Sequence, residues 1–162
     1  MSARDSRYLG CLGFTLIELM VVMLILGLLS SLVVLTTAPD LRREASTEAT
    51  RLGLVLQAAL QETQWSGRPM AFSAEGRAYR FWAADEQARW LSIADGDKFR
   101  PRSLSEGMGI VSIEVEGQTL PAGALLTFTP AHATLFQITL DAPQGKMQLR
   151  SLPNSRVHLV AP

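Results

Sequence analysis

Residues 13–38 read GFTLIELMVVMLILGLLSSLVVLTTA, and this stretch decides how the chain is organised. From Leu19 to Ala38 it contains no charged side chain, which satisfies the roughly 20 apolar residues that a transmembrane helix requires. As a helix, residues 14–38 would reach about 37 Å, against a hydrocarbon core of about 30 Å. The stretch therefore predicts a membrane-spanning helix over residues 14–38, with a long buried core helix as the alternative.

A cleaved secretory signal explains the apolar run less well. Such a signal has an apolar region of about 7–15 residues that ends in a small-residue cleavage site. This run is longer, and its best site, Thr36-Thr37-Ala38, is followed directly by Pro39. A lipoprotein signal is excluded because Cys11 precedes the run instead of following it. Basic residues barely differ between the two sides, so the free N-terminal amine favours a cytoplasmic N-terminus only slightly.

The composition of the whole chain restricts its function. The 162 residues include 15 basic and 15 acidic side chains, so the net charge is zero, which argues against a dedicated nucleic-acid binder. One cysteine excludes an intrachain disulfide framework and a Cys-rich zinc site. Two histidines leave little material for a metal or catalytic centre, so we expect no cofactor and no enzymatic activity.

Glu18 is the one charged residue between Tyr8 and Pro39. A carboxylate in hydrocarbon costs several kcal/mol unless it is paired or neutralised. One interpretation is that Glu18 lies near the membrane interface and reaches water. The other is that a partner subunit supplies a cation, because the neighbouring Leu16, Ile17, Leu19 and Met20 offer none.

The order of residues around Glu18 carries a resemblance. Gly13-Phe14-Thr15-Leu16-Ile17-Glu18, with a short basic leader before it and an apolar run after it, resembles the prepilin signal of type IV pilins and type II secretion pseudopilins. The resemblance implies that a prepilin peptidase cuts between Gly13 and Phe14, that the new Phe14 amine is N-methylated, and that residues 1–13 are lost. It also implies that Glu18 neutralises the Phe14 amine of a neighbouring subunit during filament assembly.

Residues 40–65 predict an amphipathic helix. Apolar side chains recur at spacings of three and four along one face, and these are Leu41, Ala45, Ala49, Leu52, Val55, Leu56, Ala59 and Leu60. Asp40 is suited to cap a new helical start after Pro39, and we expect one long helix, kinked or briefly broken at 38–40. The cluster Ser66-Gly67-Arg68-Pro69 ends the helix.

Residues 66–162 predict a β-rich domain, because the apolar period changes from helical spacing to two. Alternation places one set of apolar side chains on the inner face, and these are Tyr79, Phe81, Val111, Ile113, Val115, Phe136, Ile138, Leu140, Met147 and Leu149. Turn signals separate seven to nine short strands. The fold class is therefore α+β, with a long N-terminal helix packed on antiparallel sheets.

Within the pilin-like class, the layout resembles the H-type minor pseudopilins and their FimT/FimU-type relatives. The residues that carry this second resemblance are Leu126–Pro130, Phe136–Leu140 and a final hairpin of Lys146–Leu152 and Arg156–Val160. It implies a filament subunit, not an enzyme, in the bacterial inner membrane with its globular domain in the periplasm. The implied partners are other minor pseudopilins, the major pseudopilin, the prepilin peptidase and the inner-membrane assembly platform.

The same resemblance implies a position near the tip of a secretion pseudopilus, where the subunit links the tip complex to the major pseudopilin. The alternative is a minor pilin of a type IV pilus, which primes fibre assembly or binds DNA. A third possibility, from another class, is a membrane-anchored periplasmic enzyme, but no hydrolase motif accompanies the Ser, His and Asp residues.

Several other residues are discounted as sites. Asp95-Gly96-Asp97 supplies too few oxygen ligands for calcium and reads as a turn. His132 falls in a loop, and Trp82 and Trp90 are expected to pair across a hairpin. Lys146, Arg150, Arg156 and His158 are predicted to share one outward face, with a solvated surface, a protein partner and a nucleic-acid contact as the interpretations in falling order.

Overall fold

The computed structural model of the protein describes residues 16–37, 41–94, 96, 98–143 and 145–160, without side chains for 28–37, 41 and 42. The chain divides into two compact units, Met1–Pro39 and Asp40–Pro162. The predicted break at 38–40 and the proposed Asp40 cap lie outside the described residues. The domain boundaries drawn from the sequence therefore stay predictions.

The first unit contributes helix α1, Leu16–Thr37. Straight-chain and β-branched apolar residues occupy it without Pro, so nothing interrupts its backbone hydrogen bonds. Among the residues with described side chains, no helix is long and apolar enough to cross a membrane.

The second unit begins with helix α2, Leu41–Ser66, as the spacing of apolar residues predicted. Its buried side chains are Ala45, Ala49, Leu52, Leu56, Ala59, Leu60 and Thr63, which form one stripe along the helix. The helix ends where Gly67 adopts a φ of 68°, a conformation that favours glycine, and the Gly67 N–H donates to the Thr63 carbonyl.

Ten strands follow α2 in the described residues, which is more than the seven to nine predicted. They are β1 Met70–Glu75, β2 Ala78–Ala84, β3 Trp90–Ser92, β4 Arg102–Ser103, β5 Gly109–Val115, β6 Gln118–Thr119, β7 Leu126–Phe128, β8 Phe136–Asp141, β9 Met147–Ser151 and β10 Val157–Val160. All the pairings are antiparallel. The predicted α+β class is therefore confirmed.

The strands form two sheets. The first sheet has the order β3-β2-β1-β7, with β4 also paired to β2, and the second has the order β10-β9-β8-β5-β6. The α2 stripe packs with the inner side chains of both sheets in a single core, which includes Phe72 and Phe81 from the first and Ile138 and Leu149 from the second.

The β5 strand departs from the predicted alternation. Its register with β8 shifts between Ile110 and Ser112, which is a β-bulge. The extra residue turns Val111 outward, where its side chain is 54% exposed, while Ile113 stays in the core. The prediction that Val111 faces inward is therefore wrong, because a bulge resets the period of two.

Helix α2 also reaches the outer edge of the second sheet. The Val157 N–H of the edge strand β10 donates to Gln57 Oε1 on α2 at 3.3 Å. Nearby, Gln64 Nε2 on α2 donates to Ser155 Oγ at 2.7 Å in the β9–β10 turn. The Val157 N–H points away from the sheet at its edge, and helix α2 supplies the acceptor for it.

Candidate assembly site

Glu18 lies in the first turn of α1. The apolar side chains around it, from Leu16 to Leu26, are between 41% and 76% exposed and occur on every side of the helix. Gly13 and Phe14 lie outside the described residues, so cleavage, N-methylation and the pairing of Glu18 remain predictions. The structure places one carboxylate at the start of a helix whose apolar side chains are exposed from Leu16 to Leu26.

A second exposed surface lies on α2, on the side opposite its buried stripe. Leu54 is 62% exposed and Trp65 is 89% exposed. Their separation of 11 residues is about three helical turns, so they share one side of the helix with the partly buried Ala58. Leu54 and Trp65 are not among the residues predicted to form a site, although their helical spacing relative to the core stripe indicates an outward surface.

The predicted basic face is present at the outer side of β9 and β10. Arg150 and His158 stand directly opposite each other in the strand register, and both are exposed. Lys146 and Arg156 are exposed beside them, just outside the strands. The Arg150 guanidinium donates from Nε and Nη2 to Gln137 Oε1 of β8, at 3.1 and 2.7 Å.

The other half of this outer face is acidic. Glu114 of β5 stands opposite Gln137, and Glu116 lies in the turn that joins β5 to β6. A groove of about 370 Å³ runs between the basic and acidic halves, and Leu135, Phe136 and Pro153 supply its apolar lining. The sequence alternation predicted which way Glu114 points, but only the register shows that it faces the basic strands.

The discounted residues form no convergent site. His132 is exposed in a turn, where it forms an isolated bridge with Thr129. Asp95 and Asp97 lie outside the described residues. No group of three or more His, Cys, Asp or Glu side chains that could hold a metal ion occurs in the part of the chain that the structure describes.

The two tryptophans do not pair directly, contrary to the prediction. The register of β2 with β3 sets Trp82 opposite Ser92 and Trp90 opposite Ala84. Trp82 Nε1 instead donates to Ser73 Oγ at 2.9 Å. The turn between these strands is longer than a symmetric pairing of the two tryptophans would need.

Two side chains in the second unit have shifted acidity. Burial raises the pKa of the Tyr79 phenol above its ordinary value of 10.0, and the nearby Arg51 cation offsets part of that rise. A hydrogen bond from the Arg89 backbone, the largest of several effects, lowers the pKa of the Asp85 carboxyl. Tyr79 sits among core aromatic rings and Asp85 closes an exposed turn, so both shifts belong to folded structure rather than to acid–base chemistry.

Comparisons with known proteins address both the leader and the fold. Residues 10–34 match the family model described as the prokaryotic N-terminal methylation motif. Over 110 residues, the chain is 38% identical to type II secretion system protein H of Pseudomonas aeruginosa. The match covers 67% of this chain and 61% of the length of that relative.

Solved structures share the fold. Two structures of the minor pseudopilin EpsH from the type II secretion system of Vibrio cholerae superpose with TM-scores of 0.59 and 0.60, at 19% and 18% identity. Each covers 74% of this chain, and the chain covers 98% and 95% of the two EpsH chains. The pilin-like α+β architecture predicted from the sequence is therefore confirmed.

The methylation motif lies where the prepilin signal was recognised, and the sequence likeness to protein H extends well beyond that motif. The EpsH structures supply the same arrangement of helix and antiparallel sheets. The resemblance drawn from the sequence is therefore confirmed: the chain is similar to type II secretion system protein H and shares its fold with the EpsH minor pseudopilins.

Proposed function

We propose that the chain is a minor pseudopilin of a type II secretion system. The observation that carries this proposal is the combination of a prepilin-type motif at residues 10–34 with 38% identity to a secretion-system protein H. On this proposal the chain acts as a structural subunit and not as an enzyme. It stands near the tip of the periplasmic pseudopilus, links the tip complex to the major pseudopilin and supports export of folded proteins across the outer membrane.

Assembly on this proposal uses the exposed surface of α1. Helix α1 has apolar side chains on all sides, so lipid before assembly and neighbouring helices after assembly both suit it. Cleavage after Gly13 creates a cationic amine on Phe14, and Glu18 of an adjacent subunit can neutralise it. Two charges that are costly alone in an apolar medium become tolerable as a pair, which favours assembly and sets the axial register.

The proposed partners follow from this route. The prepilin peptidase processes the chain, the inner-membrane assembly platform extracts it, and the other minor pseudopilins and the major pseudopilin contact it in the filament. The globular unit lies in the periplasm while α1 anchors the chain in the inner membrane. Membership of a type IV pilus is the alternative, and the likeness to protein H favours secretion over it.

The intact mass and N-terminal sequence of the chain, from cells with and without prepilin peptidase, test the processing step. We expect a chain that begins at N-methyl-Phe14 only when the peptidase is present. A chain that begins at Met1 in both strains would contradict the pseudopilin proposal.

A deletion strain separates the two machines. We expect loss of the chain to stop export of the type II substrates and to leave surface pili and DNA uptake unchanged. The reverse pattern would assign the chain to a pilus, and complementation with the wild-type gene is the control.

A further inference from the structure

The outer face of the second sheet carries one row of side chains that runs across all five strands. Strand register sets its order as His158, Arg150, Gln137, Glu114 and Thr119. Adjacent members are about 4.8 Å apart, the spacing of neighbouring strands. The row lies opposite the core side of the sheet, because Ile138 and Leu149 point inward from the same strands.

The charges in this row are antisymmetric about its centre. Gln137 on the middle strand is neutral, Arg150 lies one strand away on one side, and Glu114 lies one strand away on the other. At the next level of the face, Glu116 lies beside Leu135, to whose carbonyl its N–H donates. On the basic side, Leu152 lies one strand from β8, and Arg156 lies one strand further out, where its carbonyl accepts from the Leu152 N–H.

We propose that two copies of the chain pair face to face through this surface, about a twofold axis that runs along β8. Such an axis leaves Gln137 near its own counterpart and exchanges the two flanking strands. Arg150 of each copy then lies over Glu114 of the other. Two cation–anion contacts therefore form from one self-complementary face.

The hydrogen bonds of Glu114 and Arg150 within one copy leave both side chains able to bind a partner. Among the described residues, none donates a hydrogen bond to the Glu114 carboxylate, which is half-buried beside the apolar groove. Arg150 donates to Gln137 through two of its three nitrogens, and no other described residue accepts from it. A guanidinium from a second copy would give Glu114 a charge-assisted partner, while Leu135 and Pro153 supply apolar contact around it.

The size of the face predicts weak pairing. Five strands of about five residues cover roughly 400 Å² per copy, below the roughly 800 Å² per partner of a standard stable interface. We therefore expect a salt-sensitive association that matters at the high local concentration of a membrane. The pairing does not depend on which machine the chain serves.

Cross-linking in native membranes tests the geometry. In a full-length chain with Cys11→Ser, so that no other cysteine is present, Gln137→Cys places a thiol beside the axis. A bis-maleimide that spans the ~10 Å between stacked sheets should then join two copies. Ser92→Cys, exposed on the first sheet, is the matched control and should stay monomeric.

Charge exchange tests the chemistry. Arg150→Glu sets like charges opposite each other and should lower the cross-linked fraction roughly tenfold. Glu114→Arg should do the same. The double variant Arg150→Glu/Glu114→Arg restores opposite charges and should restore cross-linking, which a folding defect in either single variant would not do.

An independent measurement uses the unlabelled wild-type chain. Its dimer fraction is measured in detergent at low and at high salt. We expect that fraction to fall as salt screens the pairs. Equal cross-linking at Gln137→Cys and Ser92→Cys, failure of the double variant to recover, or a strictly monomeric wild-type chain at low salt would each overturn the proposal.

Discussion

At the residue scale, Glu18 is the side chain on which the proposed assembly route depends. It occupies the first turn of α1 among apolar neighbours. Glutamine has the same length as glutamate and is also polar, but it cannot neutralise an amine. The change Glu18→Gln therefore tests the charge itself.

We expect Glu18→Gln to leave cleavage at Gly13-Phe14 intact and to reduce incorporation into the filament by at least tenfold. Removing one member of an ion pair in apolar surroundings costs about 3–5 kcal/mol, because the other charge is left unpaired. Shear fractionation with immunoblotting measures incorporation. Leu19→Met, a neutral change beside it, is the control, and normal assembly of Glu18→Gln would contradict the pairing.

Burial of Tyr79 makes the free energy of unfolding of the globular unit depend on pH, and the direction of the pKa shift sets the sign of that dependence. Burial favours the neutral phenol, so its folded-state pKa lies above the value of 10.0. The stabilising contribution is complete below about pH 10 and is lost as the pH rises from there through the folded pKa, because the unfolded chain ionises first.

We therefore expect the free energy of unfolding to fall between pH 9 and pH 11 more steeply in the wild type than in Tyr79→Phe. Denaturant titrations at several pH values measure this. Tyr79 is the only tyrosine of the sequence beyond Tyr8, so the difference between the two curves isolates one phenol. Parallel curves for the two proteins would contradict the assignment.

At the element scale, the contact between α2 and the second sheet depends on a glycine. A Cβ at Gly53 would lie 3.1 Å from Leu149 Cδ2 and 3.8 Å from Val157 Cγ1, so the helix approaches β9 and β10 closely at this point. Glycine in mid-helix costs about 1 kcal/mol relative to alanine, and here close packing offsets that cost.

We expect Gly53→Val to destabilise the globular unit by about 1–3 kcal/mol, because the added methyl groups overpack the helix–sheet contact. Thermal or denaturant unfolding measures the change. Ala58→Val, on the outward side of the same helix, is the matched control and should change stability by less than about 1 kcal/mol. Unchanged or raised stability of Gly53→Val would contradict the close packing, because helix propensity alone favours valine over glycine.

Elements with regular periods could be predicted from the sequence, and elements shaped by their neighbours could not. The α2 stripe and the β8–β9 alternation have one buried face each, so their periods show directly. Strand β1 has no alternation to read because its first four residues are all buried. The bulge in β5 and the register of the two tryptophans depend on partner strands, which the sequence does not specify locally.

The candidate sites divide in the same way. The prepilin signal is a local motif of six residues, so Gly13, Phe14 and Glu18 could be named from the sequence. The charge row needed five strands in order, and β8 pairs with β5 across a separation of more than twenty residues. Local patterning predicted that Arg150 and Glu114 face outward, but not that one strand separates them.

At the scale of the whole molecule, helix α1 carries exposed apolar side chains from Leu16 to Leu26, and the second unit has a core of its own. We expect the full chain in the membrane fraction, where alkaline carbonate does not release it and detergent does. Added protease should reach the globular unit only after the outer membrane is opened. Release by carbonate alone would contradict the anchor.

On the proposed function, a subunit that assembles into a filament must not also aggregate through its strand edges. An open strand edge invites a second strand, and repeated addition leads to cross-β aggregates. The Gln57 side chain on the Val157 amide occupies one such edge with a group from the same molecule. Replacing Gln57 with Leu would free that amide, and its consequence would be aggregation of the globular unit with normal processing of the leader.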